Sequence, residues 1–184
     1  MFFLRNAVPA DVPQIMKIED ASFIAPIRES ADVFAARIDV FPEGFVVFSE
    51  AVRADAAAPL AGYLCGELWR ETPEAAADLS VGHDIACAHC AGGSVFYISS
   101  FALLPEFRGK GNGRQLFARA VEYACGRCRR VSELALLVNE EWTGARRIYT
   151  DFGFSEVRRI PQMFPADGGG SRTGIVMTRP WSGR

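Results

Sequence analysis

The chain has only two histidines among its 184 residues, and it has no long apolar run. No segment approaches the roughly 20 consecutive apolar residues that cross a bilayer, so no membrane partner is expected. The opening Phe2-Phe3-Leu4 run is broken by Arg5 and Asn6 and then by Pro9 and Asp11. It does not read as a signal peptide, and a cytoplasmic location is expected. An excess of basic charge is also missing. Lys and Arg number 20 against 22 Asp and Glu, a formal net charge of −2, which gives no field for nucleic acid or an anionic surface. The five cysteines are an odd number; without an export signal they read as reduced thiols or metal ligands, not a disulfide framework. With 49% hydrophobic and 23% charged residues, the composition argues against disorder and for one domain over 1–184.

Residues 2–8 read as a first strand closed by Pro9. Asp11 is placed to cap a helix carrying Val12, Ile15, Met16 and Ile18, and Ser30 to cap a second with Val33, Phe34, Ile38 and Val40, stopped by Pro42. Strands are expected over 44–49 and 60–69, joined across the Ala-rich turn 54–59. Residues 70–93 lack periodicity and read as a surface loop with one helical turn. A strong strand, 95–103, leads into a helix over 113–128 with Leu116, Phe117, Ala120, Val121 and Ala124 on one face. A short strand at 134–138, a helix at 141–151 ended by Gly153, and strands near 154–160 and 175–178 complete the chain, the last two flanking a flexible loop at 161–172. The order is β-α-α-β-β-β-α-β-α-β-β, a mixed α/β arrangement around one sheet, without internal repeats.

Arg108-Gly109-Lys110-Gly111-Asn112-Gly113-Arg114 carries the most chemistry. A strand feeding a glycine-rich turn that opens a helix aims free backbone N–H groups, with the positive helix end behind them, at one point. Glycine is needed there where a side chain would block a phosphate or where φ is positive. The Lys-Ser/Thr pair of a P-loop is missing, and the spacing is not that of a dinucleotide fingerprint. R-x-x-G-x-G fits from Arg108 to Gly113. Taken alone, the turn is also compatible with a tight connection that binds nothing.

The stretch F-A-L-L-P-E-F-R-G-K-G-N-G-R-Q-L-F-A-R-A, Phe101 to Ala120, resembles the acetyl-CoA signature of the GNAT superfamily of N-acetyltransferases. L-L-V-N-E-E-W-T-G-A-R-R-I-Y-T-D-F-G-F resembles that family's second block, with Asn139, Ala145, Tyr149 and Phe152-Gly153-Phe154 as landmarks. Upstream, E-D-A-S-F, Arg28-Glu29-Ser30, P-E-G-F and A-G-Y-L-C-G-E-L-W are similar to the serotonin (arylalkylamine) N-acetyltransferase branch. The resemblance implies an α/β GNAT fold, a mixed and mostly antiparallel sheet flanked by helices. It implies direct transfer of acetyl from acetyl-CoA to a primary amine, either a small amine or a peptide or protein N-terminus. Backbone groups of Phe101, Ala102 and Leu103 would meet the pantetheine arm. The turn Gly109, Lys110, Gly111, Asn112, Gly113 and Arg114 would hold the pyrophosphate, and Asn139 would face the arm. As an alternative or in addition, Asn139 caps the helix that follows.

Acetyl transfer needs a neutral amine and a proton for the departing thiolate. Tyr149, sharing a helix face with Trp142, Ala145 and Phe152, is the candidate donor; a core tyrosine is the alternative. The serotonin-type enzymes carry two histidines on the strand before the glycine turn, and Tyr97 and Ser99 stand there in this chain. Glu67, beside Leu64, Leu68 and Trp69, is therefore the candidate base, with a plain strand residue as its alternative. The missing histidines also leave open an acyl-CoA-binding module without catalysis, or an interaction protein that reuses the fold. Phe23, Ile24, Phe45, Trp69 and Tyr97 are available to line an apolar amine pocket. Cys65 reads as a small buried thiol. His83, Cys87, His89 and Cys90, with Cys125 and Cys128, have zinc-like spacings, but a helical cysteine pair is a poor zinc knuckle, and no metal is expected. A homodimer remains open.

Overall fold

The structure is a computed structural model that describes residues 1–50, 58–72, 79–166 and 168–183. Seven strands form one sheet in the order β1-β2-β3-β4-β5-β7-β6. They are β1 (Phe2–Asn6), β2 (Phe45–Glu50), β3 (Leu60–Trp69), β4 (Val95–Leu103), β5 (Glu133–Asn139), β6 (Ser155–Pro165) and β7 (Ser171–Pro180). The helices are α1 (Val12–Ser22), α2 (Ala31–Val40), the one-turn α3 (Ile85–Ala88), α4 (Asn112–Cys125) and α5 (Thr143–Asp151). Among the described residues only the β4–β5 pair is parallel. A parallel pair needs a crossover, and α4 supplies it. No helix among the described residues is long and apolar enough to cross a membrane.

Alternation along the strands divides the core in two. Phe45, Val47, Tyr63 and Cys65 pack with Ile15, Ile18, Phe34 and Ile38 of α1 and α2. Val46, Phe48, Leu64, Phe96, Ile98, Leu134 and Leu136 pack with Leu116, Phe117, Ala120, Val121 and Ala124 of α4. Every position of β3 is buried, since helices cover both its faces. The apolar face of α4 is the one expected from its 3.6-residue period.

Several boundaries differ from expectation for local reasons. Ser30 caps α2, its hydroxyl accepting from the Val33 N–H at 3.4 Å. Asp11 stands at the start of α1 but makes no cap bond; its carboxylate instead takes Arg5 at 2.6 and 2.8 Å and the Val8 N–H at 2.9 Å. Helix α5 starts at Thr143, after a turn in which Asn139 Oδ1 accepts from the Glu141 N–H at 2.9 Å. Strands β6 and β7 run on to Pro165 and from Ser171, so only 166–170 separates them. A bulge between Ile160 and Phe164, with Gln162 at φ +58°, accommodates Pro161, which has no N–H to give to the ladder. Most of the expected turn at 54–59, and 73–78 of the expected loop at 70–93, lie outside the described residues.

Candidate active site

The site begins with a defect in β4. Its parallel pairing with β5 covers Val95–Ile98 against Glu133–Leu136 and then stops. On the other side Gly66 faces Ile98 while Cys65 faces Ser100, so Ser99 is an extra, bulged residue. A bulge bends its strand and sharpens the twist. Gly66 permits the close approach, because a Cβ there would lie 2.6 Å from the Tyr97 carbonyl oxygen. Past the bulge β4 follows β3, and its edge toward β5 is left without a strand. Phe101, Ala102 and Leu103 on this edge line a cavity of about 820 Å³.

The glycine turn closes one end of that cavity. Gly109, Lys110 and Gly111 have φ of +74°, +51° and +80°, conformations that favour glycine and cost a side chain. At Gly109 and Gly111 a Cβ would meet nothing within 4 Å, whereas at Gly113 it would lie 2.9 Å from Ile148 Cδ1. The first two glycines thus serve the backbone and the space in front of it, and the third serves α4–α5 packing. Gly109, Gly111, Gly113 and Arg114 line the cavity. Of the opening amides of α4, the Asn112 N–H donates to the Gly109 carbonyl and the Gln115 N–H to the Gly111 carbonyl, both at 3.1 Å, which leaves those of Gly113 and Arg114 to face an anion. Lys110 and Asn112 are not on the cavity wall; Asn112 Nδ2 donates to the Phe107 carbonyl at 3.1 Å and secures the turn. Arg108 does line the cavity, and it is held there by donating to the Leu103 carbonyl at 2.8 Å and to Ser22 Oγ at 2.9 Å.

Helix α5 forms the facing wall with Trp142, Gly144, Ala145, Ile148 and Tyr149. Tyr149 is 8% exposed, with ring centroids of Phe117 and Phe154 at 5.0 and 6.1 Å. Among the described residues its hydroxyl has no hydrogen-bond partner, and burial raises its pKa, which keeps the proton on at neutral pH. Phe152, on the same helix face, goes into the core against Phe117. Asn139 is buried and does not line the cavity; its side-chain oxygen is used in the turn before α5.

At the other end lies a carboxylate that sequence reading passed over. Glu19 is 1% exposed yet lines the cavity. It accepts from the Tyr63 hydroxyl and from the Glu29 N–H at 2.9 Å, and Tyr63 in turn sits 3.0 Å from Ser100 Oγ. Burial raises its pKa to about 6, against the pull of the Tyr63 and Glu29 hydrogen bonds and with help from the Glu29 and Asp20 charges. Glu19 heads the E-D-A-S-F stretch, so a signal was present, but only folding brings it to β4.

Glu67 is placed differently from what its sequence surroundings suggest. It is fully buried, off the cavity wall, with both oxygens engaged: Oε2 by Arg37 at 2.9 Å, Oε1 by Trp69 Nε1 at 3.1 Å and by His83. Arg37 also holds Glu29 at 2.8 and 3.1 Å and donates to Ser99 Oγ at 3.0 Å. The bulged Ser99 thus serves as a partner for a buried arginine. Tyr97 stacks on Trp69, centroids 4.1 Å apart. Of the expected apolar lining, Phe23 and Tyr97 face the cavity; Trp69 stands behind Tyr97, Phe45 is in the core, and Ile24 is not on the wall. Ile27, Leu79, Val81, Trp142 and Phe164 join them. Phe23, Trp142 and Phe164 make an aromatic bridge, with Phe23–Trp142 at 5.5 Å and Trp142–Phe164 at 5.4 Å.

The cysteines take separate roles. Cys65 and Cys125 are buried thiols, and Cys87 is exposed beside Asp84. His89 Nδ1 accepts from the Leu68 N–H at 3.3 Å, and its ring lies 4.6 Å from Phe41. Among the described residues no group of three His, Cys, Asp or Glu is arranged to hold a metal.

Residues 73–156 match the family model described as Acetyltransferase (GNAT) domain. The architecture agrees over the whole chain. The chain has the GNAT fold. The family match over the glycine turn and α5 makes it an acyltransferase. The loading GNATL domain of CurA from Lyngbya majuscula is similar with a TM-score of 0.78 and 14% identity, 98% of each chain being covered. The GphF GNAT-like decarboxylase, solved with isobutyryl-CoA, has a TM-score of 0.74 and 15% identity, over 97% of this chain and 98% of that one. NAA60 from Arabidopsis thaliana, solved with a bisubstrate analogue, has a TM-score of 0.73 and 19% identity, with full coverage of both chains. No curated protein sequence matches the chain.

Proposed function

We propose that this GNAT-fold enzyme transfers acetyl from acetyl-CoA to a primary amine in a ternary complex, in the cytoplasm. The observation that carries this reading is that one cavity joins the backbone of the glycine turn, the open edge of β4, Tyr149 and Glu19. The residues fit the cosubstrate. The Gly113 and Arg114 amides at the start of α4, the Gly109–Gly111 backbone and the Arg114 side chain suit a pyrophosphate, and the unpaired edge Phe101–Leu103 suits an amide-bearing arm running beside it. The structures solved with isobutyryl-CoA and with a bisubstrate analogue support such a ligand.

Glu19, in place of Glu67, is the base in this proposal. It lies on the cavity wall with no cation paired to it among the described residues, so it attracts an ammonium and takes its proton. The free amine then attacks the thioester carbonyl, and as the carbon–sulfur bond breaks Tyr149 gives its hydroxyl proton to the leaving sulfur; the proton that the nitrogen sheds restores the tyrosine hydroxyl, and the one held by Glu19 passes to water. Atoms balance as one amide and one thiol. The apolar wall of Phe23, Ile27, Leu79, Val81, Tyr97 and Phe164 fits an amine with an apolar body. Acetyl-CoA turnover against a panel of amines and N-terminal peptides, followed by free-thiol release, tests the reading. Transfer to an apolar amine that is lost in Glu19→Gln and Tyr149→Phe is expected; tight acetyl-CoA binding with no transfer to any amine would leave only a binding module.

A further inference from the structure

Leu79, Ser80, Val81 and His83 form one wall of the acceptor end, yet residues 79–84 lie in no strand or α-helix. Such a segment has no ladder to hold it, and its placement must come from side chains and isolated backbone bonds. Leu79 packs into the core with Trp69 and Tyr97, and two polar contacts among the described residues tie the rest to the interior. The Gly82 N–H donates to Glu29 Oε1 at 3.3 Å, and His83 Nε2 pairs with the fully buried Glu67. The His83 ring is also edge-on to Trp69 at 5.7 Å and to Tyr97 at 6.2 Å. Arg37 joins the two anchoring carboxylates to each other.

We propose that His83 is a positioning residue for the acceptor: its imidazolium clamps the 79–84 segment onto Glu67 and thereby sets the shape of the amine-binding end. This rests on the acyl-transfer reading of the cavity. His83 does not itself take the proton of the amine, because both ring nitrogens face acceptors. Nε2 faces Glu67, and Nδ1 lies 3.1 Å from the Ser80 carbonyl oxygen. Two acceptors call for two N–H donors, which only the protonated ring has. The groups that act on it are Glu67 from β3, Arg37 from α2 and the neighbouring Asp84, with Tyr97 from β4 edge-on to the ring and Glu29 joined to the segment through the Gly82 N–H. Burial opposes the charge and Arg37 repels it, but the Glu67 hydrogen bond and charge outweigh both, and the pKa is raised. The clamp is therefore complete below the ordinary histidine range and is lost as pH rises through the raised value.

The test is hydrogen exchange of peptides covering 79–84, read across pH 6 to 9 in the wild type after correction for the intrinsic exchange rate. His83→Gln at pH 7 is the second arm, with steady-state kinetics alongside. The expected result is that His83→Gln loses about tenfold or more of the protection at 79–84, and that the wild type loses the same protection as pH rises. The amine KM of the variant should rise by about tenfold, with kcat and the acetyl-CoA KM within about twofold of wild type. Wild-type protection that stays flat with pH, or a variant with normal protection and an unchanged amine KM, would overturn the proposal. If peptides from β3 and α4 also lose protection, the variant has unfolded, and the wild-type pH series alone decides. Should the wild type acetylate no amine, the functional reading fails while the exchange data still decide the clamp.

Discussion

Replacing Glu19 with glutamine removes a proton acceptor and keeps the shape. The amide oxygen can still accept from the Glu29 N–H, and the amide nitrogen can donate to the Tyr63 oxygen, so the hydrogen-bonded corner survives. A lost general base costs about 10² to 10⁴ in rate, and a fall in kcat of about 10²-fold or more is expected near pH 7.5. The raised pKa of about 6 gives a second, sharper signature. A base with that pKa is about 90% ionised at pH 7 and about 10% at pH 5. A carboxylate at the usual 4.5 would still be about 75% ionised at pH 5. The substrate amine titrates too, but it does so equally for wild type and variant, so the ratio of their rates isolates Glu19. That ratio should fall about tenfold from pH 7 to pH 5, measured by thiol release at saturating acetyl-CoA. A ratio that is constant across this range, with chemistry shown to be rate-limiting, would refute Glu19 as the base.

Three further outcomes follow from the same geometry. Tyr149→Phe removes only a hydroxyl, so kcat should fall by about 10²-fold while acetyl-CoA affinity, measured by calorimetry, stays near wild type. Gly111→Val places a branched side chain at φ +80° in the open space before the turn; acetyl-CoA binding should be lost while circular dichroism shows the fold intact. Arg37→Ala leaves the buried carboxylates of Glu29 and Glu67 without their cation. Breaking such a pair costs about 3–5 kcal/mol, so thermal denaturation should show Tm lower by roughly 6 °C or more.

The sequence by itself determined the elements whose causes are local. The β-branched and aromatic run 95–103 is β4 at the residues expected, and the apolar period of α4 names five of its six buried residues, Cys125 being the sixth. The glycine turn was legible because positive φ and close approach both demand glycine, and these demands fall within a few consecutive positions. Tyr149 was legible as a position on a helix face. Boundaries set by side chains reaching elsewhere were not. Asp11 reads as a cap until Arg5 is placed beside it, and Asn139 stands before a turn whose length the sequence does not give.

Only the tertiary structure decided the acceptor end. Glu19, Glu29, Arg37, Glu67, His83 and Ser99 come from α1, the segment after it, α2, β3, the segment before α3, and β4, and no spacing rule links them. Glu67 in its apolar sequence neighbourhood reads as a lone carboxylate with a raised pKa. In the fold it is encircled by Arg37, Trp69 and His83, whereas Glu19 lies on the cavity wall with the Tyr63 hydroxyl and the Glu29 N–H as its partners. The reason is physical. Burial and hydrogen bonding set a carboxylate's availability, and both depend on which distant segments the β4 bulge and the sheet order bring together.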